Sequence, residues 1–230
     1  AAPRSSASRD SAFQVLRYAA VLRPRWIVVE NVVGMRSWPR FRSFRRRLNE
    51  LGYHVREQVL NSADFRVPQR RKRLFLLCDR EVEPSEVRPT ATTHVALERI
   101  LAKDGVYRVS PLYSPKRAPA TIERAERAMA ALGRDEPYLI VYYGSDQAGG
   151  WQPLSQTLRT VTTLDRFALV RPNPSGHTMR MLQVQELKRA MGMPARFSVG
   201  EGVRREQIHL VGNAVCPPVM TAIVKSLVSR

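Results

Sequence analysis

Three groups of residues in this chain have types and spacings that could do chemistry. Glu30 follows the apolar run Trp26-Ile27-Val28-Val29 and precedes Asn31-Val32. A carboxylate delivered to the C-terminal end of a buried strand can serve as general acid or hydrogen-bond partner. In parallel α/β sheets that end is where ligands bind, although a glutamate there also reads as a surface residue or cap. Forty residues on, Gln69-Arg70-Arg71-Lys72-Arg73 sets four cations in five positions, suited to phosphates or to developing negative charge. The same run also reads as a solvated loop. The third group is Gly212-Asn213-Ala214-Val215-Cys216-Pro217-Pro218. Cys78 and Cys216, the only cysteines, have no CxxC or zinc-ligand spacing, so neither a metal site nor a disulfide framework is expected.

The surrounding pattern predicts the elements that must position these residues. A helix is expected over about Ser11–Leu22, ended by Pro24, and Trp26–Val29 reads as a buried strand. Phe41, Phe44, Leu48 and Leu51 recur at helical spacing before Gly52, marking a second amphipathic helix. Tyr53–Leu60 reads as extended, Asp64–Arg73 as a polar loop and Leu74–Cys78 as a short apolar strand. This alternation predicts an α/β sheet covered by helices. From Glu81 to about Gly150, prolines 84, 89, 111, 115, 119 and 137 break the chain into short segments. A helix is expected there near Thr121–Leu132, a strand at Tyr138–Tyr143 and a turn at Gly144–Gly150, forming a small, separate, irregular module. Regular patterning returns with an extended Leu158–Val170, a helix near Val184–Met191 and a terminal helix from Pro217 or Pro218.

The 230 residues can bury a real core in one or two domains. Their 38 Lys and Arg against 20 Asp and Glu leave a formal charge of +18, which implies a polyanionic partner, nucleic acid before an anionic membrane surface. Arginine far outnumbers lysine, favouring forked contacts to phosphates and base edges. Arg36, Arg40, Arg42, Arg45, Arg46 and Arg47 crowd one segment, which also reads as a solvated helix face. No stretch approaches the roughly 18 apolar residues of a membrane span, and a reducing cytoplasm fits the cysteine usage.

The segments Arg23–Met35, Asn61–Arg73, Leu158–Val170 and Met179–Gln183 through Val219 occur in the order found in the cytosine-C5 DNA methyltransferases, which this chain resembles over roughly residues 11–80 and 154–228. The resemblance implies an α/β fold containing part of a Rossmann-like, S-adenosylmethionine-dependent methyltransferase sheet, with a small irregular target-recognition region. It divides the chain into a flexible arm (1–10), the C-terminal part of a catalytic domain (11–83), a target-recognition region (84–153) and a supporting segment with the terminal helix (154–230). Cytosine C5 is a poor nucleophile, so its methylation needs a thiolate added at C6 and relief of charge on the ring. By resemblance Glu30 contacts N3 and N4 of a flipped cytosine, Arg73 binds O2, and Arg71 supports it and the DNA backbone. Gln69, Arg70, Arg71, Thr162 and Arg166 are expected at the DNA, and Asn213 and Val215 beside S-adenosylmethionine. Neither the family's Phe-x-Gly-x-Gly cofactor turn nor its Pro-Cys nucleophile occurs in the sequence. Three readings follow: one part of a split enzyme needing a second chain, a fragment of a longer polypeptide, or a non-catalytic remnant that binds double-stranded DNA. A bacterial or phage-encoded cytoplasmic protein of DNA protection or restriction–modification is expected. A basic RNA-binding protein would explain the charge but not the motif order.

Overall fold

The computed structural model describes residues 11–144 and 149–229. The arm expected over 1–10 and the middle of the turn expected at 144–150 therefore lie outside the described residues. Two compact units are present: Ala1–Asn61 with Lys72–Pro89 and Val219–Arg230, and Ser62–Arg71 with Thr90–Pro218. The boundary falls inside the Gln69–Arg73 run.

In the first unit, a 3-10 turn at Ser11–Phe13 leads into α1 (Gln14–Leu22), which buries Leu16 and Ala19. Arg23 stops it in the left-handed region, φ 45°, just before Pro24. Strand β1 (Trp26–Asn31) follows, then a 3-10 turn at Val33–Ser37 and α2 (Phe41–Glu50). Phe41, Phe44 and Leu48 form the buried stripe of α2, and Gly52 closes it at φ 86°, a conformation that costs glycine nothing. Strands β2 (His54–Asn61) and β3 (Lys72–Asp79) complete a sheet of order β1-β3-β2. The expected α/β sheet covered by helices is present, but both of its strand pairings are antiparallel. Central β3 is antiparallel to both neighbours, because it enters from the 62–71 connection without a crossover helix.

The pleat sorts this sheet into two faces. Ile27, Val29, Val55, Val59, Leu74, Leu76 and Cys78 pack into one cluster with Leu16, Phe41, Phe44 and Leu48, so α1 and α2 cover that face. Val28, Glu30, Arg73, Phe75 and Leu77 therefore lie on the other. The Asp79 carboxylate pins the start of β1: it accepts hydrogen bonds from the Trp26 indole at 2.9 Å and the Glu81 amide at 2.8 Å. Strand β1 departs from the fully buried strand expected. Trp26 is 38% exposed and Ile27–Asn31 are half-buried, because β1 is an edge with only β3 beside it. Tyr18, Val21 and Leu22 on α1 also face outward.

The second unit begins with a 3-10 turn at Ser62–Phe65. The loop after it is not the solvated one expected: Phe65, Val67, Pro68, Gln69 and Arg71 are all buried. Beyond it come β4 (Ser110–Pro111), α3 (Pro119–Leu132), β5 (Tyr138–Val141), β6 (Trp151–Pro153), β7 (Phe167–Arg171) and β8 (Thr178–Met181). They form an antiparallel sheet of order β4-β8-β7-β5-β6, under which Ala125, Ala128 and Met129 of α3 meet Tyr138, Ile140, Ala168 and Val170. The proline-rich module is thus not separate, since β7 and β8, from beyond residue 154, pair with its strands. Helices α4 (Val184–Ala190) and α5 (Arg204–Asn213) follow; α6 (Pro217–Val228) starts at the end of this unit and from Val219 on belongs to the first. Helix α5 has no counterpart among the expected elements. Arg204–Val228 is long and apolar enough for a membrane span by composition. However, Ala214 is extended between α5 and α6, so neither helix alone reaches the ~20 residues a span needs.

Glu186 is fully buried and receives four short hydrogen bonds: a fork from Arg180 at 2.7 Å twice, the Gln183 amide at 2.7 Å and the Ala102 amide at 2.9 Å. Burial pushes its pKa up, but Arg180 and the two amides outweigh burial and hold it below the ordinary 4.5. The stabilisation is therefore in place above about pH 4.5 and is lost as pH falls through the lower folded value. Arg180→Ala should strand this carboxylate and cost roughly 3–5 kcal/mol in denaturant unfolding. Glu186→Gln should flatten the acid limb of the stability–pH profile. An unchanged acid limb in Glu186→Gln would show that other carboxylates govern it.

Candidate functional site

In the first unit, Glu30 and Arg73 occupy a diagonal across neighbouring strands. Glu30 is directly opposite Phe75 on β3, and Arg73 is two residues before Phe75 on the same face. Arg73 Nε lies 3.0 Å from Glu30 Oε1, with about a fifth of each side chain exposed. A second nitrogen of the fork, Nη1, donates to the Lys72 carbonyl at 2.9 Å and fixes the guanidinium plane. A carboxylate oxygen and forked donors thus sit side by side on the face away from α1 and α2. The pair can meet a planar ligand edge that carries both donor and acceptor groups. Asn31 uses its side-chain oxygen to accept from the Val32 amide at 2.8 Å, turning the chain sharply after Glu30.

In the second unit, Gln69 and Arg71 are inward-facing. Gln69 has no exposed surface: its Oε1 accepts from the Val161 amide at 3.0 Å and its Nε2 donates to the Ala190 carbonyl at 3.3 Å. Arg71 is 5% exposed and spans two carbonyls, Nη1 to Val161 and Nη2 to Gly212, each at 3.0 Å. The backbone adds a bridge between Gln69 and Leu158, with the Arg70 amide donating to Leu158 at 2.7 Å. Gly212 approaches so closely that a Cβ on it would lie 2.3 Å from the Thr162 carbonyl oxygen. Three separated segments, 69–71, 158–162 and 211–212, are therefore locked together through backbone groups.

This geometry revises part of the expected DNA-contacting set. A Gln69 without exposed surface and with both amide ends engaged is an anchor, and Arg71 is likewise buried among carbonyls. Arg70 between them is exposed and free to meet a phosphate. Thr162 closes a local turn with Leu164, and Arg166 donates to the Tyr142 carbonyl at 2.9 Å, so both are partly engaged and half-buried. Asn213 is exposed at the end of α5, its amide 3.3 Å from the His209 ring, and Val215 is half-buried. An exposed carboxamide followed by a half-covered valine fits the rim of a ligand with polar and apolar parts. With no glycine-rich turn in the sequence, these residues would form only part of a cofactor site. Gly212 and Val161 stand in motifs noted in the sequence, but their roles as partners of Arg71 and Gln69 were not legible there because they act through backbone atoms.

Neither cysteine is placed as a nucleophile. Burial pushes the Cys78 thiol up to about 12, leaving it protonated at neutral pH. Cys216 is buried with its thiol 3.9 Å from the Met191 sulfur.

Residues 6–229 match the family of C-5 cytosine-specific DNA methylases. The type II methyltransferase M.HaeII of Haemophilus aegyptius is 24% identical over 212 residues, covering 90% of this chain and 62% of that protein. M.NaeI of Lentzea aerocolonigenes is 28% identical over 246 residues, covering 95% and 52% respectively. The chain therefore spans little more than half the length of these relatives. Among solved structures, the Entamoeba histolytica methyltransferase EhMeth superposes with a TM-score of 0.66 at 15% identity, over 95% of this chain and 68% of that one, a likeness of fold.

The lock around Gly212 carries its own expectation. Gly212→Ala should force Thr162 away and destabilise the protein by roughly 1–3 kcal/mol or more in denaturant unfolding. Arg71→Ala should cost about 1–3 kcal/mol for each carbonyl it leaves unpaired. Parental stability in Gly212→Ala would mean that α5 and the 158–162 segment are not in contact.

Proposed function

Because this chain belongs to the C-5 cytosine-specific DNA methylase family, we propose that it is the base-binding and target-recognition part of a DNA (cytosine-5-)-methyltransferase, acting on double-stranded DNA in restriction–modification or DNA protection. The observation that carries this reading is the Glu30–Arg73 pair, a carboxylate and a guanidinium 3.0 Å apart on one sheet face. A cytosine swung out of the duplex presents N4 as donor, N3 as the atom that gains a proton or hydrogen bond, and O2 as acceptor. Glu30 accepts from N4 and holds the proton at N3, while Arg73 turns its fork to O2. When C6 is attacked, electron density moves onto N3 and O2, where these two side chains already stand. When bound, S-adenosylmethionine would supply the methyl group for C5, and Asn213 and Val215 would hold its edge. Gln69 and Arg71 act by holding the loop that presents Arg70, and the 84–153 region would read the target.

The thiolate for C6 must come from outside these residues, since the Cys78 thiol is protonated and Cys216 is buried. We infer a second chain or a further segment carrying it together with the glycine-rich cofactor turn. The half-exposed edge strand β1 and the outward Tyr18, Val21 and Leu22 of α1 support this, because an open edge beside exposed apolar side chains invites a covering partner. A bacterial or phage-encoded cytoplasmic enzyme is part of the same reading. The protonated and buried cysteines also favour a second reading, a DNA-binding protein without methyl transfer.

The test combines this chain with a partner bearing the Pro-Cys segment and glycine turn, S-adenosylmethionine and duplex DNA. Methyl transfer should fall roughly 100-fold or more in Glu30→Ala and in Arg73→Ala, the range expected for a general acid–base group. Exchanging either cysteine of this chain for serine should leave transfer intact. Full activity in Glu30→Ala removes its proposed role, and no transfer by the complete pair favours the non-catalytic reading.

A further inference from the structure

The arginines of α2 have no task in the cytosine chemistry, and they are not an ordinary solvated helix face. Six arginines fall between residues 36 and 47, and no Asp or Glu occurs from residue 31 to residue 49. A helix stabilised for water alone intersperses opposite charges. Here the first turn of α2 contains no acidic residue, and Arg40 and Arg42 sit at the end where the helix dipole is already positive.

Three of the six are held in place. Arg36 and Arg45 both grip Glu57 on β2, the latter at 3.2 Å, and Arg40 lies 4.3 Å over the Phe13 ring. Arg46 has only an exposed pair with Glu50 at 3.3 Å, while Arg42 and Arg47 have no ion-pair partner among the described residues. Among the described residues Arg42 and Arg47 are thus left without a carboxylate, and the Arg46–Glu50 pair is exposed on both sides. Helical spacing puts Arg42 and Arg46 one turn apart, opposite the buried stripe of Phe41, Phe44 and Leu48, with Arg47 on the shoulder.

The place of this surface in the fold sets it apart from the site. Helix α2 covers the sheet face of Ile27, Val29 and Val55, whereas Glu30 and Arg73 lie on the opposite face. We propose that the outward face of α2, centred on Arg42, Arg46 and Arg47, is a second DNA-binding surface that grips the phosphate backbone without reading sequence. With the sheet and the ~10 Å thickness of a helix between them, the two surfaces contact different stretches of duplex. This surface would keep the protein on DNA between target sites. The inference does not depend on the cytosine chemistry.

A duplex of only A·T pairs isolates this contact, because it offers no cytosine to the Glu30–Arg73 site. Binding of the full chain to that duplex is measured across a salt series, beside a variant carrying Arg42→Gln, Arg46→Gln and Arg47→Gln. Each phosphate contact contributes about 0.9 to the slope of log affinity against log salt, so the variant should lose about 2–3 from the slope. A variant with lysine at the same three positions should keep the parental slope. Glutamine retains helix propensity, so the thermal midpoint of the glutamine variant should not fall, which separates lost contact from lost fold. An unchanged slope, or parental binding to anionic vesicles but not to the A·T duplex, overturns the proposal. If the slope falls while the completed enzyme transfers no methyl group, the surface stands and the methyltransferase reading fails.

Discussion

A buried guanidinium bonded to main-chain carbonyls is the constraint on which the second unit depends. Arg71 donates to Val161 and Gly212, and Gln69 beside it joins Val161 to Ala190. These bonds join stretches of chain some 90 and 140 residues away from the loop in sequence. Burying an arginine is costly unless its donors are satisfied, so the carbonyls cannot drift without exposing an uncompensated charge. Gly212 supplies the steric half of the same lock, letting a helix touch the Thr162 backbone where any side chain would intrude. The run Gln69–Arg73 is thereby divided in function. Its buried members hold the loop, Arg70 is exposed, and Arg73 is half-buried against Glu30.

The first unit works by the two-sidedness of a small sheet. Helices α1 and α2 bury one face, and the pleat sends Glu30 and Arg73 to the other, where their diagonal position brings them to 3.0 Å. Because β3 enters antiparallel, Arg73 near its start comes level with the C-terminal end of β1. A parallel β3 would have placed its first residues at the opposite end of β1. The reversed strand thus assembles the pair, while β1 remains an edge with its apolar residues only half covered. The same two-sidedness separates the Glu30 carboxylate from the arginine face of α2.

Much of this was legible before the structure. Helical spacing of Phe41, Phe44 and Leu48 located α2, Pro217 located the start of the last helix, and four motifs in order identified the family. Such features are local, set by periodicity, turn-forming residues or motif chemistry within a few positions. The burial of the 65–71 loop was not legible, since its polar composition reads as solvated until the partners of Gln69 and Arg71 are known. The joining of the proline-rich module with β7 and β8 into one sheet was hidden for a similar reason. Strand pairing is a non-local choice that periodicity along a single segment does not encode.

The sequence by itself determined the residue types the chemistry needs: a glutamate after an apolar strand, an arginine at the end of a basic run, and no cysteine in the family's nucleophile motif. Only the tertiary structure decided which cations remain available. It took Arg71 and Gln69 out of solvent, set Arg73 against Glu30, and left Arg42, Arg46 and Arg47 exposed on the far side of the sheet. An arginine reads the same in sequence whether it binds a carbonyl, a carboxylate or a phosphate. Which of these it meets is settled by what the fold brings within about 3 Å of it.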